Sequence, residues 1–406
     1  MTKQRAWQGM ERRLLSFFLA NSLAETVQVV AMVWATYALT HDARLVGIVN
    51  AAAYLPGVVV GLFFRRRADA GSAARLVSMT NWVLFLGSLA LTAVWLASNS
   101  VPLVVVSFVV FQVSLSVVKM VNKAYVGRVV RDGFEPRTAS RVLQRATSLT
   151  LVGGMVGGGA VGVLLDLVSP GWAFAAASVL YLASLYAISA PAAARAHPAT
   201  EVGSDDEGAE TLPPAEPDGV RRSLALILLF SVPSSGALPF ISTAMVPYAN
   251  QVAQGSGLFY SVLTVTVMCG GFVAGVALST NRLTLSASLR WMLGAGGVLA
   301  ALLPVVRWPP LVIGVVLVLA VALTAHVISM QVLTNQAPPP SEVGRFIVLR
   351  NSVAGTAKGV FSLLAGWIID VAGLDVAWLS LAVVLLVFAG AWVVSGRRVL
   401  MVVGAQ

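Results

Sequence analysis

The chain has 406 residues, of which 58% are hydrophobic and only 11% are charged, whereas a soluble domain carries roughly a quarter of its residues as charged types. This composition excludes an ordinary soluble enzyme or signalling domain. The net charge of +10 does not indicate a nucleic-acid partner, because the basic residues are spread over short loops between apolar segments, as the positive-inside rule describes. A single cysteine excludes an internal disulfide.

Windows of about 20 apolar residues, the length that crosses a bilayer as a helix, predict twelve transmembrane helices. The first six are predicted at residues 14–39, 45–64, 74–97, 102–123, 142–167 and 171–190. The second six are predicted at residues 223–249, 257–279, 286–306, 309–334, 346–370 and 376–395. The apolar runs lack the alternation of a β-barrel strand, so the sequence predicts an all-α membrane protein.

The two sets of spans are separated by residues 191–221, which are rich in acidic residues, Pro, Gly and Ala. Large apolar residues are almost absent there, which is typical of a disordered tether. The sequence therefore predicts an N-terminal six-helix bundle at 1–190, a disordered linker at 191–221 and a C-terminal six-helix bundle at 222–406.

Orientation follows from the basic residues of the short loops, most of which fall on one side. These residues are Arg65, Arg66, Arg67, Arg75, Arg128, Arg131, Arg137, Arg141, Arg221, Arg222, Arg282, Arg345, Arg397 and Arg398. The opposite side has little beyond Arg44 and Arg307. Both termini and the linker are thus predicted to face the cytoplasm, and the basic N-terminal segment is interpreted as leading into a retained first span rather than a cleaved signal. Abundant Arg, Ala, Val and Gly indicate a GC-rich bacterial genome, hence a bacterial cytoplasmic membrane.

An internal repeat relates the fifth and eleventh spans, which align at a constant separation of 204 positions. The aligned pairs are Arg141 with Arg345, Gly162 with Gly366, and Asp166 with Asp370. This repeat favours two pseudo-symmetric halves, an architecture that transporters use.

Polar residues recur at helical spacing in the first, fourth, seventh and tenth spans, whereas the sixth, ninth and twelfth are almost wholly apolar. The polar stripes comprise Asn21, Glu25, Gln28, Met32 and Thr36, then Gln112, Ser116, Lys119 and Lys123, then Ser231, Ser235 and Ser242, and finally His326, Met330 and Thr334. Polar side chains in a membrane bundle face its interior or an aqueous cavity. The striped spans are therefore predicted to line a central cavity.

This pattern, a three-helix unit repeated four times, resembles the major facilitator superfamily. The resemblance implies the major facilitator fold and alternating access to a central site. In that family the turn after the second span usually reads glycine, three residues, then Asp-Arg; here Gly61 is followed at that spacing by Arg65 and Arg66, and Asp69 is the candidate replacement for the missing acid. We assign gating or structural roles to Arg65 and Asp69.

The fifth span is rich in glycine, including Gly153, Gly157, Gly158 and Gly162. It is similar to the antiporter motif of the family's exporters. The alternative interpretation is ordinary close packing of helices through small residues. Both interpretations give these glycines a structural or gating role.

Ionisable residues inside the spans are the candidates for the mechanism. Glu25 is the acid farthest from both ends of its span, so it is the leading proton-coupling candidate; the alternative is a permanent ion pair with Lys119. His326 is a second proton-coupling candidate. Lys358 is a candidate for substrate contact. The other candidates for the substrate cavity are Asn21, Gln28, Met32, Gln112, Ser116, Lys119, Ser235 and Met330. Asp166 and Asp370, near the outer helix ends, are expected to have gating or structural roles.

These observations predict a secondary transporter, with proton-coupled export of a small drug-like or secondary metabolite as the leading hypothesis. A proton-coupled importer of a small metabolite is the first alternative, and a transport-inactive scaffold or receptor on the same fold is the second. The few His, Asp and Glu residues form no spaced metal site and no nucleophile with a base, which argues against an enzyme. The expected partners are a small-molecule substrate, protons and the lipid bilayer, without a cofactor, a metal or nucleic acid, and the protein is expected to be monomeric.

Overall fold

The computed structural model describes residues 2–64, 73–189, 218–338 and 343–404. Within these ranges the chain forms twelve helices that are long and apolar enough to cross a membrane. This confirms the predicted all-α class and the predicted number of spans. Each predicted span overlaps one of these helices, although the first helix already begins at Thr2, not at residue 14, and the fourth continues to Gly133, not to residue 123.

The helices are numbered α1 to α12 in chain order. The first half contains α1 (Thr2–Thr40), α2 in two segments (Ala43–Ala52 and Leu55–Phe64), α3 (Ala73–Ala97), α4 (Val101–Gly133), α5 (Pro136–Leu167) and α6 (Pro170–Ser189). The second half contains α7 (Asp218–Val252), α8 (Gly257–Ser279), α9 (Leu285–Leu302), α10 (Pro309–Gln336), α11 (Val343–Ala372) and α12 (Leu374–Gly404).

Two helices depart from regular α-geometry. The helix α2 is interrupted between Ala52 and Leu55, just before Pro56, which lacks the amide hydrogen that a continuous helix would use. The helix α9 contains a π-helical turn at Ser288–Met292. Such turns insert one extra residue and often mark functional positions.

The two halves pack by equivalent rules. In the first half α1 packs on α5 and α6, and in the second half α7 packs on α11. Between the halves, α2 packs on α11 and α5 packs on α8. Because α5 and α11 are equivalent by the sequence repeat, the two contacts between the halves are related by pseudo-symmetry.

An even number of spans leaves both termini at one end of the bundle, which is called the terminal end below. The opposite end is called the distal end. It contains the turns at Asp42, Ser169, Ser256 and Gly373. The largest buried apolar cluster contains residues of both halves. Near the terminal end, by contrast, each half has its own separate cluster, one around Leu14 and Phe17 and one around Phe230 and Met330. The halves are therefore joined at the distal end and the middle, and a cleft between them opens toward the terminal end.

The domain boundary differs slightly from the prediction. The helix α7 begins at Asp218, inside the segment assigned to the linker, because its first turn continues directly into the apolar span. Most of that predicted linker, residues 191–217, lies outside the described residues.

Candidate functional site

The centre of the first half carries an ion pair between two helices. The ammonium group of Lys119 on α4 contacts the carboxylate of Glu25 on α1. Their side chains retain 45% and 25% of their exposure, respectively. Lys119 lies on the side of α4 opposite to the lipid-facing residues Val106 and Val110, which are also exposed. The pair therefore faces the cleft between the halves rather than the lipid.

The interruption of α2 brings a tyrosine to this pair. Tyr54 lies in the break, close enough to Lys119 and Glu25 to interact with both charges. The hydroxyl of Ser116 on α4 accepts a hydrogen bond from the amide of Gly57 at 2.9 Å. Ser116 thus satisfies a backbone donor near the start of the second α2 segment, and holds the break against α4.

The second half contributes a cation to the same tyrosine. The ammonium nitrogen of Lys358 on α11 lies 5.6 Å from the centre of the Tyr54 ring, within the range of a cation-π interaction. Glu25, Lys119, Tyr54 and Lys358 are called the central cluster below. The cluster joins charges of both halves across the interface between α2 and α11.

The central cluster has a closed side toward the distal end. One helical turn from Tyr54, the side-chain amide of Asn50 donates a hydrogen bond to the hydroxyl of Thr243 on α7, at 3.0 Å. Both side chains are buried. Further toward the distal end, the rings of Trp34 on α1 and Tyr260 on α8 are stacked with their centres 5.7 Å apart. These contacts separate the cluster from the distal end.

Three predicted cavity residues have wholly or partly buried side chains: Asn21, Gln112 and Ser235. Within the described ranges, the buried amide oxygen of Asn21, one turn from Glu25 on α1, has no hydrogen-bond partner, and neither have the two amide atoms of Gln112 on α4. Ser235 on α7 is buried. Unpaired amide groups are costly inside a protein, and those of Asn21 and Gln112 remain candidates for polar contact with a ligand or water.

Two further predicted cavity residues lie on α1, distal to Glu25. The amide oxygen of Gln28 accepts a hydrogen bond from Ser88 on α3 at 2.6 Å, and Ser88 in turn contacts Ser178 on α6. Met32 is fully buried in the large apolar cluster. The expectation that Gln28 lines the cavity is therefore corrected, because its side chain bonds to α3 of its own half. The assignment of Met32 stays a prediction, since its cluster contains residues of both halves.

The stripe on α10 also faces the interior of its own half. Met330 is fully buried in the apolar cluster around Phe230, which corrects its assignment to the cavity. The ring nitrogen Nδ1 of His326 lies 2.9 Å from the Ser234 hydroxyl on α7. Among the described residues the other ring nitrogen, Nε2, is buried without a partner. His326 is thus a buried residue of the second half, apart from the central cluster.

The glycines of α5 face two different helices. A Cβ atom on Gly153 or Gly157 would approach backbone oxygens of α1 to 3.0 Å. A Cβ atom on Gly158 or Gly162 would instead meet α8 of the other half, at 3.1 Å from Val265 and at 2.5 Å from Ser261, respectively. One face of α5 therefore packs within its half, while the adjacent face permits the close contact between halves.

Asp166 and Asp370 both contact the opposite half at the distal end. The carboxylate of Asp166 on α5 accepts hydrogen bonds from the amide of Gly257 at 2.5 Å and from the hydroxyl of Ser256 at 2.8 Å, at the start of α8. The carboxylate of Asp370 on α11 forms an ion pair with Arg44, at the start of α2. Each acid thus joins the end of one helix to the beginning of a helix in the other half.

The remaining assignments concern Arg65 and Asp69, which lie outside the described residues. Arg350 on α11 is only 5% exposed. Its guanidinium contacts Asn351 at 3.5 Å, and among the described residues its Nε atom has no partner.

The described residues contain no group of three or more His, Cys, Asp or Glu side chains able to hold a metal ion. The sequence alone assigned no role to Tyr54 and did not connect Asn50 with Thr243. Pro56, which follows Tyr54 inside an apolar span, could have indicated that the helix is interrupted at Tyr54, because proline removes a backbone hydrogen bond from a membrane helix. Nothing in the sequence pairs Asn50 with Thr243.

No family model matches the sequence, and no curated protein matches it. Solved structures do match over nearly the whole chain. A bacterial homologue of the human lysosomal transporter Spinster, in an inward-facing and occupied conformation, superposes with a TM-score of 0.70 at 13% identity, covering 96% of this chain and 97% of that one. A peptide transporter, POT, superposes with a TM-score of 0.74 at 12% identity, covering 97% and 95%.

The nucleoside transporter NupG superposes with a TM-score of 0.69 at 13% identity, covering 95% of this chain and 98% of that one. All three are transporters of the major facilitator type. At identities this low the likeness establishes the fold. The chain therefore has the twelve-helix major facilitator fold.

Proposed function

We propose that the protein is a secondary active transporter that exports a small drug-like molecule or secondary metabolite in exchange for protons, by alternating access of the central cluster to the two sides of a bacterial cytoplasmic membrane. The observation that carries this proposal is the ion pair of Glu25 and Lys119, half-exposed to a cleft in the middle of a twelve-helix bundle. Charges at this depth are costly and mark pathways for substrates and ions.

The pair has the properties that exchange of a proton against a substrate requires. When Glu25 is ionised it holds Lys119; when Glu25 binds a proton, Lys119 loses its partner and becomes available to a ligand. Protonation and substrate binding thereby compete for the same two side chains. Such competition couples the two fluxes, because each ligand biases the same conformational equilibrium.

The arrangement of the halves supplies the second requirement. The cleft opens toward the terminal end, whereas the contacts of Asn50, Trp34, Asp166 and Asp370 close the distal end. Access from the distal side requires that these contacts separate while new contacts form at the terminal end. If the terminal end faces the cytoplasm, as the distribution of arginines indicates, this conformation presents the cluster to the cytoplasm.

Two other functions remain alternatives. An importer would use the same residues with the reverse direction of net flux. A scaffold or receptor on the same fold would show no substrate flux at all. Similar structures belong to transporters of peptides and nucleosides, which supports transport over the scaffold hypothesis and leaves the substrate class open.

The decisive experiment is gradient-driven transport in proteoliposomes. The native chain and the Glu25→Gln variant are reconstituted, a pH gradient is imposed, and a panel of drug-like compounds is screened while a pH-sensitive dye records proton flux. We expect the native chain to exchange protons for at least one compound. Glu25→Gln should lose transport driven by the gradient, because glutamine cannot bind and release a proton.

Glu11→Gln is the matched control, since Glu11 lies on the same helix and pairs with Arg145 at 2.6 Å, away from the cluster. It should transport like the native chain. Full coupling in Glu25→Gln would remove Glu25 from the mechanism. Absence of flux for every compound in the native chain would favour the scaffold, and accumulation in the direction of the proton flux would favour the importer.

A further inference from the structure

A second candidate binding site lies on the outer surface of the second half. A cleft between α9 and α12, near the terminal end, is lined by Ser286, Arg290, Trp291, Trp392 and Gly396. It is remote from the central cluster, which lies between the halves. Both helices that form the cleft are candidate membrane spans, from Leu285 to Leu302 and from Leu374 to Gly396.

The cleft faces the lipid rather than another part of the protein. Trp291 is 58% exposed and Val393 is 52% exposed, and both line the cleft. Arg290 lies only five residues after the start of its span, and Gly396 is the last residue of the other span. These positions place the cleft at the depth of the lipid headgroups, where tryptophan is enriched in membrane proteins.

The charge of the cleft is unbalanced. Arg290 is its one charged lining residue, and no carboxylate is among the residues that line it in the described part of the chain. The guanidinium carbon of Arg290 lies 4.9 Å from the centre of the Trp291 ring, so the indole supports the cation without neutralising it. At headgroup depth the guanidinium lies within reach of lipid phosphates, and its planar donors match a phosphate group.

One wall of the cleft contains a π-helical turn, and the other contains a tryptophan packed over a glycine. The π-helical turn at Ser288–Met292 contains Arg290 and Trp291. On the other wall, Trp392 is buried and packs edge-on against Phe230, with ring centres 4.8 Å apart. A Cβ atom at Gly396 would lie 2.6 Å from the Trp392 indole, so glycine allows this ring to occupy its place along the wall.

We propose that this cleft binds the headgroup phosphate of an anionic glycerophospholipid, with Arg290 as the phosphate ligand, Ser286 as an additional hydroxyl donor, and an acyl chain lying along Trp291 and Val393. A lipid fits better than free phosphate because an apolar, lipid-facing surface continues directly from the cation. The site goes beyond the proposed transport function and does not depend on it.

The test measures lipid retention rather than transport. The purified full chain is incubated in mild detergent with phosphatidylglycerol or phosphatidylcholine, and bound lipids are counted by native mass spectrometry. The variants are Arg290→Gln and, as a matched control, Arg282→Gln, because Arg282 is an exposed arginine in the turn just before α9 and does not line the cleft. Thermal unfolding of each variant verifies that it is folded.

We expect the native chain and Arg282→Gln each to retain one phosphatidylglycerol more than Arg290→Gln. Loss of the guanidinium in Arg290→Gln should reduce the affinity of this site for the lipid about tenfold, equivalent to about 1.4 kcal/mol. Phosphatidylcholine should be retained less well than phosphatidylglycerol. Equal retention by Arg290→Gln would overturn the proposal. Equal retention of the two lipids would overturn the preference for an anionic headgroup, and complete displacement of the lipid by millimolar inorganic phosphate would show a site for the free ion instead.

Discussion

The two distal contacts between the halves occupy equivalent places but differ in chemistry. Asp166 at the end of α5 accepts hydrogen bonds from Ser256 and Gly257 at the start of α8. Asp370, its equivalent at the end of α11, instead pairs with the Arg44 side chain at the start of α2. The repeat thus preserves the place where an acid joins the halves, while the residues of the opposite helix decide whether the bond is a helix cap or an ion pair.

The glycines beside these acids differ in the same way. A Cβ atom at Gly162 would meet chiefly the side chain of Ser261. A Cβ atom at Gly366 would meet the carbonyl oxygen of Ala43 and the Cα atom of Arg44. The Cβ atom of Ser261, at 2.5 Å, is fixed to its backbone and does not move with the rotamer, so only the Ser261 hydroxyl, at 2.7 Å, can rotate away. At Gly366 the three nearest atoms all belong to the α2 backbone, which moves only as a unit. The contact of α11 with α2 should therefore tolerate less added volume than the contact of α5 with α8.

The largest expected effect comes from Gly366→Ala. The added methyl group overlaps the backbone of α2, so the halves cannot close at the distal end as observed, at a cost of about 1 to 3 kcal/mol. Two spin labels are placed in the distal turns after α3 and after α9, in a Cys269→Ala background. The distance between them, measured by double electron–electron resonance, should be longer in Gly366→Ala. Transport by this variant should be slower.

Gly162→Ala should lengthen the same distance less than Gly366→Ala, since the Ser261 hydroxyl, one of the two nearest atoms at Gly162, can rotate away, whereas the nearest atoms at Gly366 are all backbone. Gly159→Ala is the control, because a Cβ atom there has nothing within 4 Å. A larger effect from Gly162→Ala than from Gly366→Ala would contradict the distinction between side-chain and backbone contact.

The next effect is that of Asp166→Asn. Its carboxylate caps the first amide of α8 together with Ser256, whose hydroxyl also accepts a bond from the amide of Phe259 at 3.1 Å. Loss of a charged cap should shift the equilibrium away from distal closure by about 1 kcal/mol, measured as the population of the longer spin-label distance.

Asp375→Asn serves as the control for this shift, because Asp375 pairs at 3.1 Å with Arg307 of its own half. That pair lies at the distal end and does not cross between the halves. If Asp375→Asn moved the distance distribution as much as Asp166→Asn, the cap between the halves would have no special role.

The smallest expected effect is that of Asp370→Asn. The side chains of Arg44 and Asp370 are 50% and 34% exposed, and an ion pair with such exposure contributes only about 0 to 1 kcal/mol. Salt screens it. Raising the ionic strength should therefore shift the spin-label distances in the native chain slightly and leave Asp370→Asn unchanged. A greater salt response in the variant than in the native chain would oppose this assignment.

The fold follows from the sequence because a membrane restricts the choices. Twelve apolar segments of sufficient length could only be helices, and the repeat relating Asp166 to Asp370 indicated two equivalent halves. Glu25 and Lys119 could be proposed as partners because each charge lies deep in an apolar span and needs compensation there. The place of Gln28, Met32 and Met330 could not be obtained in the same way, since a helical stripe gives a common face but not the helix that this face meets.

What the sequence by itself determined is therefore the number of spans, their division into halves, and the few charges that must avoid lipid. Only the tertiary structure decided that Tyr54 lies close to both Lys119 and Lys358, that Asn50 meets Thr243, and that Arg290 lines a cleft beside Trp291. The physical reason is that hydropathy and helical period are local properties of the chain, whereas these contacts depend on how helices far apart in sequence cross and where α2 and α9 leave regular geometry.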